Sequence, residues 1–173
     1  LKDSYSHGYG DILVIDESWD GGAGKIVTDG QNQTFEPVAL HLRLDRDLAE
    51  KMKSFAENKE LLREIKDKFR NGKTPNTELA VHLGSVVSVA GVIANKQATD
   101  HLKLKDRKIL GLEMETYGMY YSVANCSLPR PKVMALKSVC DFADESKGDS
   151  YQSYAAYTSA SLLFHFIMKE CIA

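Results

Sequence analysis

The segment Leu110-Gly111-Leu112-Glu113-Met114-Glu115 changes character halfway along its length. Its first half is apolar around a central glycine, whereas its second half places two carboxylates around a methionine. Tyr117, Tyr120 and Tyr121 follow at helical spacing, and a packing stripe explains them more simply than a cofactor site. The segment therefore predicts a buried strand that ends at the carboxylates and a helix that begins just after them.

Strands and helices are predicted to alternate on both sides of this segment. Residues 132–139 predict a strand that leads into Cys140-Asp141-Phe142-Ala143-Asp144, and residues 151–172 predict one long helix. The alternation indicates an α/β layered domain, and we assign residues 1–173 to a single domain because ~150 residues are typical of one. Upstream, we expect strands at residues 12–15, 25–28, 38–44 and 79–94 (one bent strand or two), a Gly-rich loop at 16–24, an amphipathic helix over 45–72 and a short polar helix over 95–105.

The composition excludes several classes of protein. Lys and Arg number 22 and Asp and Glu 24, which gives a net charge of −2, and 43% of the 173 residues are apolar. The chain is therefore not basic enough to bind nucleic acid through charge, nor polar enough to be disordered. Its apolar runs are shorter than the ~20 residues that span a bilayer, so we expect no membrane partner.

Cysteine and histidine usage bears on the cellular compartment and on metal binding. The three cysteines contain no C-x-x-C pair and do not form the dense, even set of a secreted disulfide scaffold, which predicts a cytoplasmic protein. The five histidines are scattered along the chain, with no H-E-x-x-H motif and no Cys/His cluster. We therefore expect no metal site.

Glu113 and Glu115 are the first candidate functional residues. Carboxylates at the junction of an apolar segment and a helix are costly to bury, so they need hydroxyl or backbone N–H partners. A carboxylate can accept two hydrogen bonds from a vicinal diol such as that of ribose. A helix dipole would equally favour Glu115 in the first turn, and the residues alone leave both interpretations open.

Asp141 and Asp144 directly follow a predicted buried strand. Ligands of α/β sheets bind outside the carboxyl ends of strands, so either aspartate is a candidate acid, base or ligand anchor. Either could instead be the N-cap of a short turn, and one can cap while the other acts on a ligand.

Taken in order, these motifs resemble the nucleoside phosphorylase superfamily, and most closely its 5′-methylthioadenosine/S-adenosylhomocysteine nucleosidases. That branch commonly carries E-M-E followed by S-D-x-A-D, similar to residues 113–115 and 138–144 here. The segment Gly10-Asp11-Ile12-Leu13-Val14 resembles its G-D-[VI]-[VI]-[VI] strand, and residues 85–93 resemble its glycine-containing strand and purine loop. The resemblance implies a three-layer α/β fold of the phosphorylase/hydrolase kind with a mixed central sheet.

The resemblance also implies roles for individual residues. Glu115 matches the carboxylate that holds the ribose 2′ and 3′ hydroxyls, Met114 the residue that packs against the sugar, and Glu113 a neighbouring residue of the sugar site. Asp141 matches the acid that protonates, or donates a hydrogen bond toward, purine N7. Cleavage of an N-glycosidic bond places negative charge on the departing purine, which an acid at N7 neutralises.

The purine loop departs from the family pattern. Val92 and Ile93 fall where the family contacts the base, but Ala90 stands where the loop usually carries Asp, and Val92 stands where many nucleosidases place a stacking aromatic residue. Cys140 also replaces the usual Ser before the acid. Base recognition is therefore expected to differ from that of the common pattern, although Asp141 is kept.

The implied function is cleavage of a purine nucleoside by water, without a cofactor and in a homodimer. A phosphate-dependent purine nucleoside phosphorylase and a non-catalytic, nucleoside-binding regulatory module are the alternatives. In this superfamily roughly half of the fold, with the anion or water site, precedes the strand that begins at Gly10-Asp11. We therefore expect the chain to be a C-terminal portion that lacks the N-terminal strands and is inactive alone.

Overall fold

The computed structural model describes residues 7–30, 32–91, 96–142 and 149–170. Within them there are seven strands and five helices, and strands alternate with helices in the second half of the chain, as predicted. The strands are β1 (Ile12–Asp20), β2 (Gly24–Asp29), β3 (Asn32–Pro37), β4 (Leu42–Arg43), β5 (Val81–Ser88), β6 (Ile109–Glu113) and β7 (Leu136–Ser138). The helices are α1 (Arg46–Ala56), α2 (Lys59–Lys68), α3 (Lys96–Lys105), α4 (Thr116–Ala124) and α5 (Gln152–Glu170), and a short 3₁₀ turn (Asp149–Tyr151) precedes α5.

A mixed five-stranded sheet built on β1 forms the centre of the fold. On one side β1 pairs in parallel with β5, which pairs in parallel with β6. On its other side, β1 pairs antiparallel with β7 along its first half and with β4 along its second half. The strands β2 and β3 form a separate antiparallel hairpin.

The two faces of β1 pack against different helices. Ile12 and Val14 face a core formed with α1, α2 and α5, whereas Leu13 and Ile15 face Tyr120 of α4. All four β1 residues are at most 6% exposed. The sheet therefore lies between two helical layers, which confirms the predicted α/β fold with a mixed central sheet. None of the described helices is long and apolar enough to cross a bilayer.

The first strand is longer than predicted. Residues 16–24 were expected to form a Gly-rich loop, but β1 continues to Asp20, and the turn begins at Gly21. Ser18 and Trp19 are fully buried and pair with Val86 and Val87 of β5. Burial and strand pairing thus outweigh the polar character of this segment.

Several other boundaries also differ. The single helix expected over residues 45–72 is two helices, because the Asn58 side chain accepts a hydrogen bond from Leu61 N at 3.1 Å and starts α2. The strand expected over residues 38–44 is only the two-residue β4, and β3 was not predicted. In the described part of residues 79–94, up to residue 91, the strand is β5, whereas α3, β6, α4 and α5 lie where they were predicted, to within a few residues.

Candidate active site

Side chains of β1 and β6 meet across β5, close to the segment that follows β7. Because β7 is antiparallel to β1, strand direction alone would place the residues after β7 and the end of β6 at opposite edges. However, a Cβ at Gly111 of β6 would lie only 2.8 Å from Leu13 Cδ1 of β1, although β5 separates these strands. A small cavity of about 100 Å³ lies there, lined by Leu13, residues 110–112 and residues 137–142.

Glu113 is held at the start of α4 by four hydrogen bonds. Its Oε2 accepts from Glu115 N at 2.9 Å, Thr116 N at 2.8 Å and Thr116 Oγ1 at 2.9 Å. Its Oε1 accepts from Ser88 Oγ at the end of β5. The carboxylate thus has the hydroxyl and backbone partners that burial of this residue demands, and it satisfies the free N–H groups of α4.

The pKa of Glu113 reflects a balance between burial and hydrogen bonding. Burial raises this pKa, but the hydrogen bonds from Ser88, Glu115 and Thr116 outweigh burial and leave the pKa below its usual range. Glu113 is therefore ionised at neutral pH, and its negative charge is fixed at the end of β6.

Lys137 of β7 joins the two motifs. Its Nζ forms an ion pair with Glu115 Oε2 and lies 3.6 Å from Glu113 Oε2. Burial lowers the pKa of Lys137, but the hydrogen bond to Glu115 and the two carboxylate charges outweigh burial and raise it. Since Lys137 also lines the cavity, it connects the carboxylates after β6 to the segment that contains Asp141.

Glu115 and Met114 lie at the surface beside this ion pair. The Glu115 side chain is 67% exposed and Met114 is 47% exposed. Glu115 is the residue that precedes α4, but its side chain makes no capping hydrogen bond. Glu113 is therefore the residue that caps α4, and the Glu115 carboxylate lies at the surface with Lys137 as its partner.

Asp141 is half-buried on the segment that follows β7. This segment is attached to the start of β1, because Gly10 N donates to Val139 O at 2.8 Å and Val139 N donates to Asp11 O at 2.9 Å. Cys140 Sγ lies 3.7 Å from Asp141 Oδ2. The predicted base-contacting residues, Val92 and Ile93, lie outside the described residues.

Glu113→Gln is expected to make the free energy of unfolding depend less steeply on pH below neutral pH. The folded-state pKa of Glu113 is lowered, so its stabilising contribution is complete above the unfolded pKa of about 4.3 and is lost as the pH falls through the folded value. Urea unfolding at a series of pH values between neutral and acidic measures this slope. Glu50→Gln, on the exposed surface of α1, is the control, and equal slopes in the two variants would contradict the assignment.

Known proteins were compared with the chain by sequence and by structure. No family model matches it. The protein y4jS of Sinorhizobium fredii is 28% identical over 161 residues, and the match spans 91% of this chain but 38% of that protein.

Solved structures with the same arrangement of strands and helices include three informative examples. A 5′-methylthioadenosine/S-adenosylhomocysteine nucleosidase from Neisseria meningitidis, in complex with methylthio-immucillin-A, superposes with a TM-score of 0.65 at 19% identity, over 94% of this chain and 63% of that chain. The chain has the nucleosidase fold. The futalosine hydrolase of Helicobacter pylori superposes with a TM-score of 0.66 at 18% identity, over 94% of this chain and 62% of that chain. A nucleosidase from Colwellia psychrerythraea in complex with adenine superposes with a TM-score of 0.66 at 15% identity, over 95% of this chain and 62% of that chain.

The nucleosidase fold confirms the resemblance read from the motifs at the level of the fold. The chain spans less than two thirds of the length of these nucleosidases, and about two fifths of y4jS. Lys137 is a site residue that the sequence analysis missed. Its signal was the single charged residue within residues 133–139 of the predicted strand, in which Ser138 is the other polar residue and a lone charge needs a partner.

Proposed function

We propose that the protein cleaves the N-glycosidic bond of a purine nucleoside, with water as the second reactant. The observation that carries this proposal is Lys137, which binds Glu115 and Glu113 and lines the same cavity as Asp141. The cavity thus has a candidate acid in its lining, and Lys137 joins it to the Glu115 carboxylate at the adjoining surface, where a ribose diol could be held. The nucleosidases that share the fold add support, because they have been crystallised with methylthio-immucillin-A and with adenine.

The size of the cavity limits how much of a nucleoside it would enclose. At about 100 Å³ it is smaller than the ~300 Å³ that is usual for a small-molecule pocket. We place the base against residues 137–142 and the ribose outside the cavity, where the exposed Glu115 carboxylate accepts from the 2′ and 3′ hydroxyls. The ion pair with Lys137 orients that carboxylate, so that it acts as an acceptor.

Bond cleavage then divides the charge between the two sides of the site. Positive charge develops on the ribose, near Glu115 and Glu113, while negative charge develops on the departing purine, near Asp141. Asp141 donates its proton toward N7 and so neutralises the leaving group, while water forms the new bond to C1′ and the proton that water loses restores the acid. The four hydrogen bonds of Glu113 indicate that it positions Glu115 and α4, and its contact with the sugar stays a prediction.

The altered purine loop supports a second candidate function, a nucleoside-binding regulatory module without turnover. Ala90 and Val92 stand where the common loop carries an Asp and an aromatic residue, so base recognition has diverged. A phosphorylase would use phosphate in place of water. One assay distinguishes the regulatory module and the phosphorylase from the nucleosidase.

The assay measures release of free base from methylthioadenosine, adenosine and inosine, with and without phosphate. It uses this chain and any longer gene product that contains it, because the chain spans about 63% of the nucleosidases. We expect the longer product to release base without phosphate. Release only with phosphate identifies a phosphorylase, whereas nucleoside binding without release identifies the regulatory module.

A further inference from the structure

Two histidines and a buried aspartate from distant parts of the sequence meet at the start of β1. Asp11 directly precedes β1, and the parallel pairing of β1 with β5 places His82 beside Leu13. His82 Nε2 lies 3.1 Å from Asp11 Oδ2, and the rings of His7 and His82 are 4.3 Å apart. One ligand atom from each of these three side chains lies within 4.8 Å of the other two.

The Asp11 carboxylate is held in a fixed orientation. It is 3% exposed, its Oδ2 accepts from Gly8 N at 2.8 Å, and its Oδ1 accepts from Ala80 N at 3.1 Å. These backbone donors leave the remaining lone pair of Oδ2 directed toward His82. Backbone hydrogen bonds of this kind orient metal-ligating carboxylates in proteins.

We propose that His7, Asp11 and His82 form a binding site for a divalent first-row transition metal ion such as Zn²⁺. Two imidazole nitrogens and one carboxylate oxygen are a ligand set that suits these ions. With metal–ligand bonds of about 2.1 Å, the 3.1 Å separation of His82 Nε2 and Asp11 Oδ2 corresponds to an angle of about 95° at the metal. The proton of His82 then lies on Nδ1, and Nε2 becomes a ligand.

His7 completes the site with a small movement. The three ligand atoms lie within 4.8 Å of one another, whereas two ligands of a tetrahedral ion with bonds of about 2.1 Å lie about 3.4 Å apart, so the ligand atom of His7 moves by at most about 1.4 Å. Burial and the neighbouring His82 lower the pKa of His7 to about 4. His7 is therefore neutral at pH 7, and a metal ion need not displace a proton from it.

A second cluster, Glu17, His41 and Asp106, provides the comparison within the same chain. There Arg43 Nη2 already lies 3.1 Å from Glu17 Oε2, and Ser85 Oγ donates to Asp106 Oδ2 at 2.5 Å. A cation and a hydroxyl thus already use the carboxylates of this cluster. His41→Ala is therefore a matched control that removes a histidine from a cluster we expect not to bind the ion.

Calorimetric titration of the chelator-treated chain with ZnCl₂ tests the site. We expect one Zn²⁺ per chain with a micromolar or tighter Kd, and a rise in Tm of roughly 5–10 °C at a hundredfold excess of Zn²⁺ over Kd. Mg²⁺ is expected to produce neither effect, because it prefers sites built from oxygen ligands.

The variants separate this site from the alternatives. His7→Ala and His82→Ala are each expected to weaken Zn²⁺ binding about tenfold or more, whereas His41→Ala binds like the parent chain. His7→Ala is the more informative variant, since His82 also supports Asp11 in the metal-free fold. An absence of Zn²⁺ binding would reduce the cluster to a structural His82–Asp11 pair, and undiminished binding by His7→Ala would also overturn the proposal.

The metal proposal revises the expectation drawn from the sequence. His7 and His82 are 75 positions apart, so their spacing resembles no linear metal motif. Strand pairing between β1 and β5 brings them together. Because the titration measures binding and Tm and not base release, its outcome is independent of the proposed nucleosidase activity.

Discussion

Asp141→Asn is expected to lower the rate of purine release by about 10²–10⁴-fold, the usual contribution of a positioned acid. Asparagine has nearly the same size and keeps a hydrogen-bonding side chain, but it has no carboxyl proton to give to N7. The loss should therefore appear in kcat, with little change in the dissociation constant for adenine. Steady-state rates and equilibrium titration with adenine measure the two quantities separately.

The control for Asp141→Asn is Asp149→Asn, an exposed aspartate in the short turn before α5. It makes the same chemical change away from the cavity, and we expect its rate of base release to equal that of the parent protein. An Asp141→Asn protein that retained the full rate would remove the assigned acid. A parallel loss of adenine binding would instead make Asp141 a ligand anchor.

The sequence predicts the parts of the fold whose signals are local. The junction between β6 and α4 was found because apolar residues change to carboxylates at Glu113, and α5 because its apolar residues recur at helical spacing. The missed features depend on contacts between distant segments. Trp19 lies in a polar, Gly-rich stretch, and only its pairing with Val87 of β5 makes that stretch a buried strand.

The candidate site also combines features with local sequence signals and features that depend on contacts between distant segments. The carboxylates after β6 and Asp141 after β7 are visible as residue types at strand ends. Their meeting depends on the contact of Gly111 with Leu13 across β5 and on Lys137, whose two carboxylate partners lie more than twenty positions upstream. One boundary signal was local and overlooked, since Asn58 is a common N-cap residue type.

Gly10→Ala is expected to destabilise the fold by about 2–5 kcal/mol. Gly10 has φ +83°, a conformation that costs other residues about 1–2 kcal/mol, and an added Cβ would lie 2.1 Å from Cε1 of Tyr154. Tyr154 is 1% exposed and packs edge-on against Phe69, so its ring has little room to move, and overpacking of this kind adds about 1–3 kcal/mol. The midpoint of urea unfolding measures the change.

The backbone around Gly10 cannot relax to relieve the overlap. Gly10 N donates to Val139 O at 2.8 Å, and Thr158 Oγ1 donates to Gly10 O at 2.9 Å. Val139 lies two residues before Asp141, so a shift at Gly10 would also move the candidate acid. We therefore expect the variant to lose stability and base release together, in contrast to Asp141→Asn.

Gly30→Ala separates the two contributions to the Gly10→Ala cost. Gly30 also has a positive φ, +61°, but among the described residues no atom beyond its chain neighbours lies within 4 Å of an added Cβ, so its substitution carries only the backbone cost of about 1–2 kcal/mol. The difference between the losses of unfolding free energy in Gly10→Ala and in Gly30→Ala measures the cost of the overlap with Tyr154. If the overlap is the cause, that difference disappears when Gly10→Ala is made in a Tyr154→Ala background. A difference that persists there would assign the cost to the backbone bonds with Val139 and Thr158 instead.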